Sequence, residues 1–400
     1  MSNSRNHSAW AIPLVVAMGL LSLLAVSYLG SVVNSEQHLR DFPLVLVNAD
    51  QGAYGAQVAG EVTDALAGQV ALRVTDTAEA ERLLSLGNVY GAVMIPADFS
   101  DRLTALGRPD ADLGTPPVLE IRTNPRAGAV GASLATELVT PALAQINRQL
   151  GIDATTRARG NGVQLSAAAL VTLTDPVRVA DTQYRPLPTG TGNGISVFYY
   201  TLLLVLTGFT GSVLVSSGVD AAVAGRPDIS AWRVLGFKWA LFAVVALLMA
   251  GIYQLIAAHL GMPIEHHLML YCFGAFAAFA VGVTALGISA TTSALASAFR
   301  MPILAILSMP INLLLFIALG IPSSGGIRPI EAAPGAYHVL ATFEPMRQVY
   351  LGVRSILYFD ARADAGLTQA VIMCAIGLGL GVLVGVLATI GNERFRTRAA

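Results

Sequence analysis

The 400-residue chain has few charged residues, only two cysteines and a single lysine, Lys238. Charged residues make up 12% of the sequence, whereas soluble domains have roughly 25%. The formal net charge is −1, so the chain lacks the excess of basic residues that nucleic-acid binding requires. Hydrophobic residues reach 54%, which favours a membrane protein over a soluble one.

Three further absences narrow the function. Cys272 and Cys374 both lie in long apolar segments, so we interpret them as packing residues and expect no disulfide in the polar part of the chain. No GxxxxGK[ST] sequence occurs, so the chain has no phosphate-binding loop of its own. The apolar segments contain almost no ionisable residue, which argues against proton or sodium coupling.

An enzyme is not expected. The only local cluster that could bind a metal is EHH at 265–267, and it lacks the i,i+4 spacing of a helical zinc site. The sequence SSGG at 323–326 has no histidine nearby in the sequence and is typical of a turn. We therefore predict no catalytic residue, no metal and no cofactor.

Long apolar segments dominate the rest of the chain. Each is about 20 residues or longer, which is enough to cross a bilayer. They predict a polytopic α-helical membrane protein with six transmembrane helices and an extracytoplasmic α/β domain inserted between helices 1 and 2. The first segment could instead be a signal peptide cleaved after Ser27, but its length favours a retained anchor. The predicted spans are 10–33, 194–215, 234–258, 268–292, 301–321 and 367–390.

The basic residues predict the orientation. If the spans alternate, the short loops on one side contain most of the cations, and the opposite loop at 259–267 contains no lysine or arginine. The positive-inside rule then places residues 1–9 and 392–400 in the cytoplasm of a bacterial plasma (inner) membrane, with 34–193 outside. The cations on the cytoplasmic side are Arg5, Arg226, Arg233, Lys238, Arg300, Arg394, Arg396 and Arg398.

The polar insert, 34–193, alternates short β-rich runs with amphipathic stretches. This pattern predicts a small α/β domain with a mixed sheet. We interpret 151–192 as mainly a linker that returns the chain to the membrane. The predicted strands are 44–48, 70–74, 90–95 and 118–122, and the predicted helices are 56–67, 77–86 and 129–150. Asp76 or Thr77 is the predicted cap of the helix at 77–86.

Short motifs in this insert resemble a known family. The motifs are LVN at 46–48, DQG at 50–52, YGAVMIP at 90–96 and DFS at 98–100. They resemble the start of YhgE/Pip-type (phage infection protein-like) membrane proteins, which are related to type-2 ABC exporter permeases. WRVLGFK at 232–238 and residues 334–360 resemble later segments of such permeases. Physically, the insert motifs also suit turns and helix caps.

The resemblance implies a permease subunit that acts as a homodimer or heterodimer, with an ATPase supplied by another chain. The longest predicted internal loop, 216–233, is the natural docking surface, although a solvated connector is the alternative. Its candidate residues are Gly225, Arg226, Asp228, Ser230 and Arg233. The loop also predicts a helix break at 225–227 and an N-cap for the next helix at Asp228 or Ser230.

The segment 322–366 is rich in proline and aromatic residues, which is typical of two short re-entrant or interfacial helices. Glu344, Arg347 and Arg354 could form an ion-paired outer gate, or an exposed polar cap. Rows of small residues predict close helix packing in the fourth and sixth spans. These rows are Gly274, Ala278 and Gly282, and Gly377, Gly381 and Gly385.

Together these features favour an exporter of an apolar or amphiphilic compound or of a cell-envelope component, in contact with membrane lipid. The alternative is a membrane-anchored receptor or scaffold subunit of envelope or secretion machinery, which would act through its external domain. The two hypotheses differ in whether an ATPase partner binds.

Overall fold

The computed structural model describes residues 4–33, 35–106, 116–160, 167–226, 229–301, 304 and 307–399. The chain divides into two compact units, one formed by Met1–Ser35 with Pro188–Ala400 and the other by Glu36–Leu187. We call them the helical unit and the α/β unit.

The α/β unit is built on a five-stranded mixed sheet, which confirms the predicted sheet type. Its strand order is β2-β1-β3-β4-β5, and only β3 and β4 are antiparallel. The strands are β1 Pro43–Asn48, β2 Ala71–Thr75, β3 Gly91–Ile95, β4 Val118–Thr123 and β5 Arg178–Gln183. The fifth strand lies within the stretch interpreted from sequence as a linker.

Helices cover both faces of this sheet. They are α2 Ala53–Leu66, α3 Thr77–Ser85, α4 Phe99–Leu106, α5 Ala129–Gly160 and α6 Ala167–Thr172. Val45 and Val47 pack with residues of α3 on one face. Successive strand residues point to opposite faces, and Gly91 brings β3 close to Ala135 of α5 on the other. The Asp76 side chain caps α3, as the sequence predicts.

The helical unit begins with α1, Ser4–Val32, and then contains the remaining long helices. Two π-helical segments, Thr207–Gly211 and Leu314–Ala318, interrupt it. Its other helices are α7 Ile195–Leu206, α8 Ser212–Val223, α9 Ala231–His259, α10 His267–Phe299, α11 Ser308–Leu313, α12 Gly320–Ser323, α13 Gly335–Ala341, α14 Pro345–Tyr358 and α15 Leu367–Ala399.

Six described helices are long and apolar enough to cross a membrane: Leu14–Val32, Ala129–Gly160, Ile195–Val223, Ala231–His259, His267–Phe299 and Leu367–Arg394. Five of them coincide with predicted spans. The predicted span 301–321 corresponds to a shorter apolar stretch, Ser308–Ser323, and 302–303 and 305–306 lie outside the described residues. Ala129–Gly160 is α5, which buries residues such as Val139 and Leu143 within the α/β unit. The chain thus has the long apolar helices of a multi-span membrane protein.

The predicted small-residue rows pack inside the subunit. A Cβ atom on Gly381 would lie 2.7 Å from Thr284 Cα, so α15 approaches α10 at backbone distance. A Cβ atom on Gly282 would lie 1.9 Å from the Phe242 ring. Gly377 contributes its carbonyl instead, which accepts a hydrogen bond from Thr284 Oγ1 at 3.1 Å. These contacts place α10 between α9 and α15.

Candidate functional site

A cavity of about 580 Å³ lies at the end of the helical unit where α8 ends and α9 begins. We call this end the α8–α9 end. Four helices provide the lining, which mixes apolar, hydroxyl and charged side chains. The lining residues are Ser216, Asp220 and Val223 of α8, Ala231, Val234, Leu235 and Lys238 of α9, Leu286, Ser289, Ala290, Ser293 and Ser297 of α10, and Thr389 and Asn392 of α15.

The only lysine of the chain lies in the cavity wall. Lys238 Nζ donates to Ser216 Oγ and to Asp220 Oδ2, both at 2.8 Å. The Lys238 side chain is 15% exposed, whereas the Asp220 side chain is 57% exposed. The ion pair is therefore asymmetric, because the cation faces the protein and the carboxylate faces solvent.

Serines of α10 form a second polar strip. Ser289, Ser293 and Ser297 are four positions apart, so they share one face of the helix. Ser297 Oγ donates to the Ser293 carbonyl at 3.1 Å. In the described part of the chain, the side chains of Ser289, Ser293 and Asn392 make no hydrogen bond. The cavity thus contains polar groups that are available to a bound molecule.

A tightly packed apolar cluster borders the cavity. Leu286 lines the cavity and also packs with Phe242, Ala246 and Ala278. These four side chains are almost completely buried. This cluster therefore packs α9 against α10 beside the cavity.

The predicted docking loop connects two walls of this cavity. Gly225 has φ +80°, the left-handed conformation that favours glycine after a helix. Ser230 caps α9, since its Oγ accepts a hydrogen bond from Arg233 N at 3.4 Å. This confirms the predicted break and the predicted cap. Arg226 and Arg233 are exposed, and Asp228 lies outside the described residues.

A hydrogen bond that the sequence does not predict ties this loop to α15. Ala231 N, the first helical amide of α9, donates to Glu393 Oε1 at 3.0 Å. Glu393 lies near the end of the chain, and an acidic side chain at a helix N-terminus is electrostatically favourable. As a result, three of the four helices that line the cavity meet at the docking loop.

The three residues of the predicted outer gate lie on α14 and at its N-cap. Glu344 is fully buried and caps α14 by accepting a hydrogen bond from Arg347 N at 3.1 Å. Burial raises the pKa of the Glu344 carboxyl from 4.5 to about 8. In the described residues Glu344 forms no salt bridge with either arginine. A role of these three residues in an outer gate stays a prediction.

The two arginines have other contacts. Arg347 Nη1 donates to the Ser324 carbonyl at 3.0 Å. Arg354 is 7% exposed and its guanidinium lies 5.5 Å from the centre of the Phe359 ring. The segment does form two short helices, α13 and α14, as predicted. Most residues of α14 are buried, which suits the re-entrant alternative of the prediction better than the interfacial one.

In the structure, two residues of the EHH sequence lie close to an acidic residue from another segment, and the third does not join them. Ligand atoms of Glu265, His266 and Asp360 lie within 4.8 Å of one another. His267 Nδ1 instead lies 2.9 Å from Gln254 Nε2. Glu265 and Asp360 are exposed, and exposed acidic groups commonly gather without an ion, so we assign no metal here.

Sequence reasoning missed the cavity itself. Two signals were present: the row of serines near the end of α10 and the isolated Lys238. Neither indicates a cavity alone, because the cavity depends on how four helices pack.

Comparison with known proteins assigns the chain to a family. No curated protein matches the chain significantly. Among solved structures, the chain is similar to "a domain of a putative ABC type-2 transporter" from Thermotoga maritima MSB8. The two are 16% identical, with a TM-score of 0.26, and the match covers 39% of this chain and 97% of that domain. The family model described as "Protein of unknown function (DUF3533)" matches residues 14–382. The chain therefore belongs to the DUF3533 family.

Proposed function

We propose that this chain is a permease subunit of the type-2 ABC class, which exports an apolar or amphiphilic compound or a cell-envelope component. A separate ATPase subunit supplies the energy, and the permease acts as a homodimer or heterodimer. In this proposal the α8–α9 end and both termini are cytoplasmic in the plasma membrane, residues 34–193 are extracytoplasmic, and no residue has a catalytic role.

The hydrogen bond between Ala231 and Glu393 carries the proposal. It joins α15 to the start of α9, directly after the loop that follows α8. The helices α8, α9 and α15 all line the cavity. A partner that binds residues 225–233 and moves them would therefore displace three walls of the cavity together. This is the mechanical connection that an exporter driven by a separate ATPase requires.

The resemblance of the motifs at 46–52 and 90–100 to YhgE/Pip proteins supports the same proposal. So does the absence of a phosphate-binding loop from the sequence, because an ABC-type permease obtains ATP hydrolysis from another chain. The docking residues proposed are Gly225, Arg226, Asp228, Ser230 and Arg233.

The test is purification of the full chain from its native membrane in mild detergent, followed by mass spectrometry and an ATPase assay. We expect a nucleotide-binding subunit to copurify. The double variant Arg226→Glu with Arg233→Glu should lose that subunit, because it reverses two exposed charges of the loop. Arg300→Glu reverses an exposed charge at the end of α10 and serves as the matched control.

Retention of the ATPase by the double variant would refute docking at this loop. Copurification of an envelope protein through residues 34–193, without any ATPase, would refute the permease and favour the anchored receptor or scaffold.

A further inference from the structure

We propose that the cavity at the α8–α9 end binds the anionic head group of an amphiphile, and that Lys238 selects the negative charge. The role of such a ligand in transport rests on the proposed function. Binding itself does not depend on an ATPase.

The size of the cavity suits a small polar group with the start of an apolar chain. Its volume of about 580 Å³ lies within the range of roughly 300–1,000 Å³ found for small-molecule sites. The charged pair of Asp220 and Lys238 belongs to its lining, so a ligand in the cavity is close to both charges.

The sign of the ligand charge follows from the unequal burial of this pair. Asp220 is 57% exposed, so water can solvate its carboxylate if the ion pair opens. Lys238 is 15% exposed and has no comparable access to water. Exposed ion pairs contribute little to stability, whereas a largely buried cation needs an anion nearby. An incoming anion can therefore replace Asp220, but an incoming cation cannot readily replace Lys238.

The remaining polar groups suit an oxygen-rich head group. The side chains of Ser289, Ser293 and Asn392 make no hydrogen bond to any described residue. Hydroxyl and amide groups can each donate a hydrogen bond to an anionic oxygen. Together with the three N–H groups of Lys238, they provide donors on two sides of the cavity. Apart from Asp220, no acidic side chain lines the cavity in the described structure.

The apolar part of the lining suits the apolar chain of an amphiphile. Val234 and Leu235 of α9 and Leu286 of α10 provide aliphatic surface beside the polar groups. A free inorganic anion would leave this surface in contact with water, which costs roughly 25 cal/mol per Å² compared with burial. A ligand with both an anionic group and an apolar chain satisfies the two kinds of lining.

The test uses the full chain in nanodiscs of phosphatidylcholine and measures the binding of three probes by calorimetry. They are dihexanoyl phosphatidic acid, dihexanoyl phosphatidylcholine and inorganic phosphate. We expect phosphatidic acid to bind at least about tenfold more tightly than either other probe, since hydrogen bonds to charged groups contribute about 1.5–3 kcal/mol. Equal binding of phosphatidylcholine would overturn the charge selection. Equal binding of inorganic phosphate would overturn the amphiphile and leave a simple anion site.

Variants assign the site. Lys238→Gln should weaken the binding of phosphatidic acid about tenfold, whereas Lys238→Arg should retain it. Ser289→Leu should also weaken binding because the larger side chain occupies the cavity. Arg300→Gln removes an exposed cation from the same end and should leave binding unchanged. Unchanged binding by Lys238→Gln, or an equal loss in Arg300→Gln, would refute the site.

The two proposals fail separately. If phosphatidic acid binds through Lys238 but no ATPase copurifies, the ligand site stands and the permease proposal fails. If an ATPase copurifies but Lys238→Gln binds the probe as tightly as the natural chain, the permease proposal stands and the ligand site fails.

Discussion

Asp50 and Ser100, which are 50 positions apart in the sequence, are joined by two hydrogen bonds in the α/β unit. Ser100 Oγ donates to Asp50 Oδ2 at 2.6 Å, and Ser100 N donates to Asp50 Oδ1 at 3.2 Å. The same carboxylate accepts hydrogen bonds from the amides of Gly52 and Gly55 at the start of α2. Two of the motifs that resemble the YhgE/Pip pattern, DQG and DFS, therefore meet at one buried carboxylate.

Loss of the Ser100 hydroxyl should destabilise the α/β unit. Ser100→Ala removes a donor from a carboxylate that is 8% exposed, and such a loss costs about 1–3 kcal/mol. Ser133→Ala is the control, because Ser133 is exposed and its hydroxyl bonds only to its own helix at the Ala129 carbonyl. Limited proteolysis of the full chain at rising temperature should show earlier cleavage within 36–187 for Ser100→Ala alone. Equal protection of both variants would contradict this.

Gly381 should tolerate a methyl group far less well than Gly379, two positions earlier in α15. A Cβ atom at Gly381 would lie 2.7 Å from the backbone of Thr284, whereas Gly379 has nothing within 4 Å. Gly381→Ala should thus cost about 1–3 kcal/mol through overpacking, and Gly379→Ala should be neutral or slightly stabilising. Thermal unfolding in detergent measures both. A similar melting temperature for the two variants would mean that α10 and α15 are not packed this closely.

Glu344 should make the stability of the helical unit depend on pH. Burial raises its pKa from 4.5 to about 8 in the folded state, so between these values the folded state binds more protons than the unfolded state. Stability contributed by the neutral carboxyl is present at low pH and is lost as the pH rises through this window. Glu344→Gln has no proton to lose and should be more stable than the natural chain above about pH 8.

Melting temperatures recorded in steps of pH for the natural chain and for Glu344→Gln test this prediction. Glu265→Gln, at an exposed position, is the control and should follow the natural chain. Parallel curves for the natural chain and Glu344→Gln would show that Glu344 is already ionised.

Ser27 should attach α1 to the rest of the helical unit. Its Oγ donates to the Ala318 carbonyl at 2.7 Å, in a π-helical segment. The hydroxyl of Ser31, one turn later, bonds within α1 to the Tyr28 carbonyl at 2.8 Å. Ser27→Ala should therefore lower stability by about 1 kcal/mol, while Ser31→Ala should have little effect.

Separation of α1 can be measured after a protease site is placed in the chain following α1. Cleaved Ser27→Ala protein should lose α1 during detergent washing faster than cleaved Ser31→Ala protein. Equal retention would show that the Ser27 hydroxyl is not needed to hold α1, which the hydrogen bond from Tyr337 Oη to the Ser27 carbonyl also attaches.

The sequence alone determined the elements whose signal is local. Apolar length located five of the long helices, short β-rich runs located four strands, and side-chain chemistry located the caps at Asp76 and Ser230. These features depend on residues a few positions apart, so a single pass along the chain reveals them. The DFS motif also suited a helix cap, but Ser100 binds Asp50 instead, because a pairing across 50 residues has no local signature.

Only the tertiary structure decided the rest. β5 has a polar sequence, RVADTQ, because it is an edge strand whose backbone pairs with β4 and whose side chains are mostly exposed. The apolar residues of α5 cover a sheet, although their composition alone would also suit a span. The cavity beside Lys238 and the burial of Glu344 arise where helices distant in sequence meet. Local patterns report the periodicity of one element, whereas burial, pairing and cavities depend on which elements pack together.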